Sequence, residues 1–189
     1  QTQGKHYLAS EWNIKKFTNN RFNNIKLNEN APPKVSEKTY SVIKQDFSNP
    51  QHIEDKNLLI FENNLSFEIT DFQNNKFKKI HLISNENENR SIKLDEKVVK
   101  FKSLLIKDQE QRLKNNSIDC EITNISEIKN IENSCALYPN IGENLDYLNI
   151  NNIKTNFLFR KLDQYSWQYC NKGFFNFKNY IPKIISKFN

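Results

Sequence analysis

Three kinds of feature are missing from this 189-residue sequence, and each absence narrows the class of protein. No apolar run approaches the roughly 18 residues that a membrane helix needs, so we expect no stable membrane insertion. A His-x-x-x-His pair, a glycine-rich phosphate loop and a Gly-x-Ser-x-Gly turn are also absent. The three histidines are isolated from one another. We therefore expect a protein that is not an enzyme, with no catalytic residue, no cofactor and no metal site.

Methionine is absent and the chain begins at Gln1. From this we expect a processed, mature secretory protein, either secreted or held in a vacuolar lumen. The cysteines Cys120, Cys135 and Cys170 allow one disulfide and leave one thiol, and their spacing fits no zinc site. Which two cysteines pair stays open at this stage.

Aromatic residues are plentiful, with 14 Phe and 7 Tyr in a chain that is 37% hydrophobic. This supplies apolar area that a disordered chain lacks, so the chain is expected to fold. The abundance of Asn, Lys and Ile is explained more easily by an AT-rich genome than by function. At this length one domain over 1–189 is the default expectation.

The net charge of +6 comes from 28 basic and 22 acidic residues, so the balance is basic but mixed. Lysines alternate along Lys97 to Lys107, as they would on the solvated face of a strand. A nucleic-acid-binding protein usually concentrates its basic residues on one face. We therefore expect no nucleic-acid partner in the leading interpretation.

Hydrophobic residues alternate with a period of two in much of the chain, which is typical of half-buried strands. Polar turns separate the runs, and two pairs of runs predict β-hairpins, in 57–72 and in 155–170. Helical spacing appears only in 126–132 and in the amphipathic run 174–188. The pattern predicts a mostly all-β protein, an antiparallel up-and-down barrel of about eight strands with a C-terminal helix packed on it. The predicted strands are 39–45, 57–61, 65–70, 77–83, 97–107, 118–123, 155–161 and 165–170.

Residues at the two ends of the chain carry a resemblance to a known family. Ser10-Glu11-Trp12, followed by Arg21-Phe22, resembles the Gly-x-Trp signature that opens strand A of the lipocalins, with Ser10 in place of Gly. Thr155-Asn156-Phe157 is similar to their Thr-Asp-Tyr signature. Lys172 stands where the family has an Arg that packs on the Trp. The resemblance implies a lipocalin-like barrel that is closed at one end by Trp12 and Lys172.

A barrel of this size can enclose one small ligand. The resemblance implies a carrier for a small hydrophobic or amphipathic molecule, such as a lipid, a tetrapyrrole or a retinoid-like compound. For each candidate lining residue, plain core packing is the alternative. The candidates are Tyr40, Phe67, Ile69, Phe101, Phe157, Phe159 and Tyr169.

Two other functions stay open at this stage. One is a non-catalytic interaction protein with a filled barrel, which acts through exposed edges or through contacts in a homo-oligomer. The other is a basic subunit of an RNA-containing assembly.

Overall fold

The computed structural model describes residues 10–22, 26–27, 46–67 and 72–188. The chain forms two compact units, Gln1–Gln45 and Asp46–Asn189. The described part of the first unit contains helix α1 (Glu11–Phe17), which begins after Ser10. The Ser10 hydroxyl accepts a hydrogen bond from the backbone N–H of Asn13 at 3.2 Å, as an N-cap does. That the whole chain is one domain stays a prediction.

The second unit is built on one sheet of five strands that all run in parallel. Their order across the sheet is β3-β2-β1-β4-β5, so β1 lies in the centre. The strands are β1 (Asn57–Phe61), β2 (Lys79–Ser84), β3 (Cys120–Asn124), β4 (Ser134–Leu137) and β5 (Asn156–Leu158).

The central strands are apolar on both faces because both faces of the sheet are covered. Leu58, Leu59, Ile60 and Phe61 of β1 are all fully buried. One hydrophobic cluster contains Leu58 and Ile60, and a second contains Leu59 and Phe61. Such a strand appears in the sequence as a continuous apolar run and carries no alternation of its own.

Connections between strands change face where the chain changes direction. The segments that join β1 to β2 and β2 to β3 add Phe67, Phe72 and helix α2 (Glu96–Asn115) to one face. The segments that join β3 to β4 and β4 to β5 add a 3-10 helix (Ile125–Asn130) and helix α3 (Glu143–Ile150) to the other. When the chain turns to add strands on the other side of β1, its connections also move to the other face of the sheet. All crossovers then have the same handedness, as connections between parallel strands almost always do.

Helix α2 forms where the sequence predicts the longest strand. The Asp95 side chain accepts a hydrogen bond from the backbone N–H of Lys97, which caps the first turn. Ile106, Gln109 and Leu113 follow at helical spacing and are buried against the sheet. The lysines of 97–107, which suggested the solvated face of a strand, therefore belong to a helix.

The chain ends in three short helices, α4 (Lys161–Trp167), α5 (Phe174–Lys178) and α6 (Ile181–Phe188). Gly173 precedes α5 with a φ of +81°, a left-handed conformation that glycine adopts without strain. The predicted amphipathic helix over 174–188 is thus two helices. A further 3-10 helix (Asn87–Asn89) follows β2. Among the described residues, no helix combines the length and the apolarity needed to cross a membrane.

The predicted antiparallel barrel is wrong, because all five strands of the sheet are parallel and a 3-10 helix and helix α2 separate β2 from β3. Neither predicted hairpin exists as such. The run 57–61 pairs with β2 and β4, and 165–170 lies in and after helix α4. The candidate strand 39–45 lies outside the described residues.

The expected disulfide is also wrong, since all three cysteines are free thiols. Cys120 and Cys135 lie on β3 and β4, which are separated by β2 and β1. Three strand spacings amount to about 14 Å, beyond the reach of a disulfide. Cys170 is exposed after α4.

We expect Leu113→Ala to lower the free energy of unfolding by about 2–5 kcal/mol, because Leu113 is fully buried between α2 and the sheet. The matched control is Leu104→Ala on the same helix, where the side chain is 55% exposed and the loss should stay within about 1 kcal/mol. Urea denaturation followed by circular dichroism measures both. Equal losses would contradict the placement of α2.

Candidate functional site

Parallel strands bring their carboxyl ends to one side of the sheet, which we call the carboxyl edge. Polar residues follow the strands there: Glu62 and Asn63 after β1, Asn85 after β2, and Arg160 after β5. Helix α3 begins at the same edge with Glu143 and Asn144. These side chains meet because the fold is parallel, although they are far apart in sequence.

Arg90 is the centre of a charged cluster at this edge. Its guanidinium Nη2 lies 2.5 Å from Glu62 Oε1, and its Nη1 donates to Glu143. The Arg90 and Glu62 side chains are 1% and 2% exposed. Lys102 of α2 donates its ammonium to the same Glu62 oxygen at 2.7 Å. The two carboxylates are therefore matched by two cations, and within this cluster the Arg90–Glu62 pair is buried while Glu143 and Lys102 are partly exposed.

The charge on Arg90 is held by its partners. Burial opposes the charged form, but the hydrogen bonds and negative charges of Glu62 and Glu143 outweigh burial and raise the pKa of the guanidinium above its ordinary value. Arg90 also donates to the backbone carbonyl of Asn85. The cluster thus joins the end of β1, the end of β2 and the start of α3.

A chain of amide hydrogen bonds runs beside the charged cluster and links the loop after β1 to the loop after β4. Asn63 donates to the Pro139 carbonyl at 2.6 Å, and Asn144 donates to Asn63 Oδ1 at 2.9 Å. Asn85 then donates to Asn144 Oδ1 at 3.3 Å. The chain ends there, because the other amide atom of Asn85, the buried Oδ1, has no partner in the described structure.

Arg160 makes a second link at the carboxyl edge, between β5 and the loop after β1. It donates to Asn64 Oδ1 and to the Ser66 carbonyl, while Asn64 donates to the Tyr138 carbonyl at 3.2 Å. Burial lowers the pKa of Arg160, and Asp163, 3.8 Å away, opposes that shift. The loops after β1, β4 and β5 are therefore tied by side chains.

A small cavity of about 130 Å³ opens at this edge, between the ends of β1 and β2 and the first half of α2. Asn85 and Arg90 both line it, and each has a buried polar atom without a partner, Asn85 Oδ1 and Arg90 Nε. Buried polar groups without partners are uncommon in folded proteins. The cavity is lined by Glu62, Ser84, Asn85, Glu86, Arg90, Val99, Lys102, Ser103, Ile106, Lys107 and Ile122.

A larger groove of about 650 Å³ lies on the opposite face of the sheet, over β2 and β3. Its floor contains His81, whose Nδ1 lies 3.0 Å from Thr123 Oγ1 and 3.2 Å from Glu121 Oε1. Lys79 pairs with the other oxygen of Glu121 at 3.1 Å. Burial lowers the pKa of His81, and the charge of Glu121 opposes that shift. The groove is open and polar.

Those sequence-predicted ligand residues that the structure describes line neither the cavity nor the groove. Phe67 is buried in the core, and Phe101 is 60% exposed on α2. Phe157 and Phe159 do meet, with ring centroids 6.4 Å apart, in an aromatic cluster after β4 and β5. Tyr169 stacks on Tyr180 after α4. Tyr40 and Ile69 lie outside the described residues.

The residues proposed to close a barrel do not play that part. Trp12 is 64% exposed in α1, where Lys16 lies over its ring. Lys172 is exposed in the turn before α5. In contrast, the sequence analysis missed Glu62, Asn85 and Arg90, which it assigned to turns. The signal for Glu62 was a polar residue directly after the uninterrupted apolar run 58–61.

In the described parts of the chain, no group of three His, Cys, Asp or Glu side chains could hold a metal ion. The chain matches no protein-family model, no curated protein and no solved structure. The site is therefore interpreted from its own geometry.

We expect Arg90→Met to lower the free energy of unfolding by about 3–5 kcal/mol, because the substitution leaves Glu62 buried with only Lys102 to compensate it. The double variant Arg90→Met with Glu62→Leu should recover part of that loss, since it removes the buried carboxylate that the single variant leaves without Arg90. As a control, Lys114→Gln removes an exposed pair with Glu110 and should cost at most about 1 kcal/mol. Additive losses in a double-mutant cycle measured in urea would contradict the buried pair.

We expect stability to fall as pH drops below about 6.5, the ordinary pKa of histidine, because the folded pKa of His81 is lower. The stability due to neutral His81 is fully present above the unfolded pKa and is lost as pH falls from there through the folded pKa. Urea unfolding at several pH values between about 8 and 5 measures the trend for the wild type and for His81→Gln. An equally steep fall in the His81→Gln variant would show that His81 does not cause it.

Proposed function

We propose that this protein binds a small amphipathic molecule in the cavity at its carboxyl edge. The ligand has a ring-sized apolar part and a polar group that both donates and accepts hydrogen bonds, as a carboxamide or a nucleobase edge does. The observation that carries the proposal is the pair of unpartnered buried atoms, Asn85 Oδ1 and Arg90 Nε, in residues that line one cavity.

The size and walls of the cavity support the apolar part of the ligand. Val99, Ile106 and Ile122 provide aliphatic walls, and most of the lining surface is apolar. An apolar cavity of about 150 Å³ in another protein holds a benzene molecule, so about 130 Å³ suits a single ring with little to spare. Binding sites generally combine such walls with a few polar groups that fix orientation.

The polar end of the cavity supports the second part of the proposal. An unpaired carbonyl oxygen on Asn85 calls for a donor, and an unpaired N–H on Arg90 calls for an acceptor. A buried polar group without a partner costs about 1–3 kcal/mol. A ligand that supplies both partners would recover this cost on binding.

The position of the cavity is also the one that open α/β sheets generally use for ligands, outside the carboxyl ends of their strands. The loops that follow β1 and β4, where the strand order reverses, are linked by the amide chain from Pro139 to Asn85. The cavity lies beside it, between β1 and β2. The turn after β1 contains no glycine, which argues against a bound pyrophosphate there.

The proposed binding of a small ligand therefore takes place at the edge of a parallel sheet. It does not involve the barrel that the sequence predicted. The titratable groups in the cavity wall favour binding over chemistry. Glu62 accepts hydrogen bonds from Arg90 and Lys102, so its carboxylate is already engaged within the protein.

We expect benzamide to bind in the cavity with a dissociation constant in about the millimolar range, because it pairs one ring with one carboxamide. Toluene, which has the ring without the amide, should bind at least about tenfold more weakly. Titrations followed by amide chemical shifts in NMR spectra measure both. The largest shifts should fall on residues that line the cavity.

The matched control variants lie on α2. Ser103→Trp places a bulky side chain at the cavity and should abolish benzamide binding. Lys100→Trp puts the same side chain at an exposed position of the helix that does not line the cavity, and should leave binding unchanged. Benzamide shifts that survive Ser103→Trp, or toluene binding as strong as that of benzamide, would overturn the proposal.

A further inference from the structure

The last part of the chain differs sharply in charge from the rest. Residues 164–189 contain no Asp or Glu, so all 22 acidic residues of the protein lie before them. The same stretch contains four lysines, Lys172, Lys178, Lys183 and Lys187. It also contains eight of the chain's aromatic residues. The described part of it includes the end of α4 and helices α5 and α6.

Packing already uses much of the apolar surface of these helices. Ile184 of α6 is buried, and the Phe188 ring contacts the Tyr165 ring of α4 at 5.7 Å. Trp167 packs with its ring 4.9 Å from Phe47 and 6.1 Å from Phe159. The apolar face of α6 is therefore partly engaged within the protein, while Ile185 and Phe188 are 51% and 39% exposed.

Two neighbouring rings remain exposed. Phe174 and Phe175 in the first turn of α5 are 64% and 85% exposed, with ring centroids 5.8 Å apart. Lys172 lies before them and Lys178 at the end of the same helix, both exposed. Phenylalanine pairs this exposed are unusual on a soluble surface, and here each ring has a lysine close in sequence.

The other two lysines are positioned by tyrosine rings. Lys187 Nζ lies 3.9 Å from the centre of the Tyr165 ring, and Lys183 Nζ lies 5.5 Å from that of Tyr169. Tyr169 in turn stacks on Tyr180, 4.4 Å away. Such contacts hold an ammonium group in place while it stays solvated. Helix α6 therefore carries ordered positive charge, and helix α5 carries the exposed rings.

We propose that helices α5 and α6 form a binding surface for single-stranded nucleic acid. Bases stack on the exposed rings of Phe174 and Phe175, and the lysines contact backbone phosphates. Proteins that bind single strands with little sequence preference combine these two features, a cationic track and aromatic platforms. The charge argument is independent of the cavity at the carboxyl edge.

A nucleic acid fits this surface better than an anionic membrane does. A helix that lies in a membrane interface presents a continuous apolar face to the lipid and its lysines on the opposite side. In α6 Ile184 is buried and the Phe188 ring contacts α4, so the apolar face is interrupted and Ile185 is its most exposed apolar residue. Two phenylalanine rings offer little area for insertion but enough for two stacked bases.

Fluorescence anisotropy with a labelled oligouridine of about twelve nucleotides tests the proposal on the full chain. We expect binding that weakens steeply between about 50 and 200 mM salt, with a logarithmic slope near −2 to −3 if all four lysines contact phosphates. Phe174→Ala with Phe175→Ala should weaken binding by at least about tenfold with little change in slope. Lys172→Glu with Lys178→Glu should reduce the slope.

Matched controls come from α2, where Phe101 is also exposed and Lys100 is a surface lysine. Phe101→Ala and Lys100→Glu should leave oligouridine binding within about twofold. Loss of binding in these controls, or equal affinity for a duplex of the same length, would overturn the stacking surface. Co-sedimentation with vesicles of phosphatidylcholine and phosphatidylserine is the second arm. Vesicle binding that depends on Phe174 and Phe175, without oligouridine binding, would assign the surface to a membrane.

Discussion

A guanidinium buried between two carboxylates is the contact on which the carboxyl edge of this sheet depends. Arg90 reaches Glu62 at the end of β1 and Glu143 at the start of α3, and it also holds the carbonyl of Asn85 after β2. Removing a charge from such a pair leaves its partner uncompensated in a dry environment, which costs several kcal/mol. The loops around the cavity are therefore held by electrostatics as well as by packing.

This constraint also bears on two of the polar residues that line the cavity. With its Nη atoms committed to the carboxylates and to Asn85, Arg90 has Nε left without a partner, and the amide chain stops at Asn85 Oδ1. Both deficits lie in residues that line one cavity, whose other walls are aliphatic. Buried polar atoms without partners are uncommon, and their occurrence in these two lining residues is the support for the small-molecule binding that we propose at this edge.

Part of the fold was accessible from the sequence. The apolar runs of β1 and β2, the alternation in β3 and the helical spacing before Phe188 all predicted elements that exist. Strand direction was not accessible from the sequence. The residues of β1 would be the same if its partner followed at once in an antiparallel hairpin or, as it does, 18 residues later in a parallel crossover. The resemblance at Trp12 misled, although Ser10 followed by Glu11 was a helix start signal. Arg90 could not be foreseen, since its partners are 28 and 53 residues away.

The central claim is that β1 pairs in parallel with β2 and β4, because only this arrangement gathers Glu62, Asn85 and Glu143 at one edge. Interstrand nuclear Overhauser effects of β1 test it most directly. We expect Leu59 to show contacts with the residues next to His81 in β2 and with the residues next to Ala136 in β4, both in parallel register. Short Hα–Hα contacts between 57–61 and 65–70, as in an antiparallel hairpin, would contradict it.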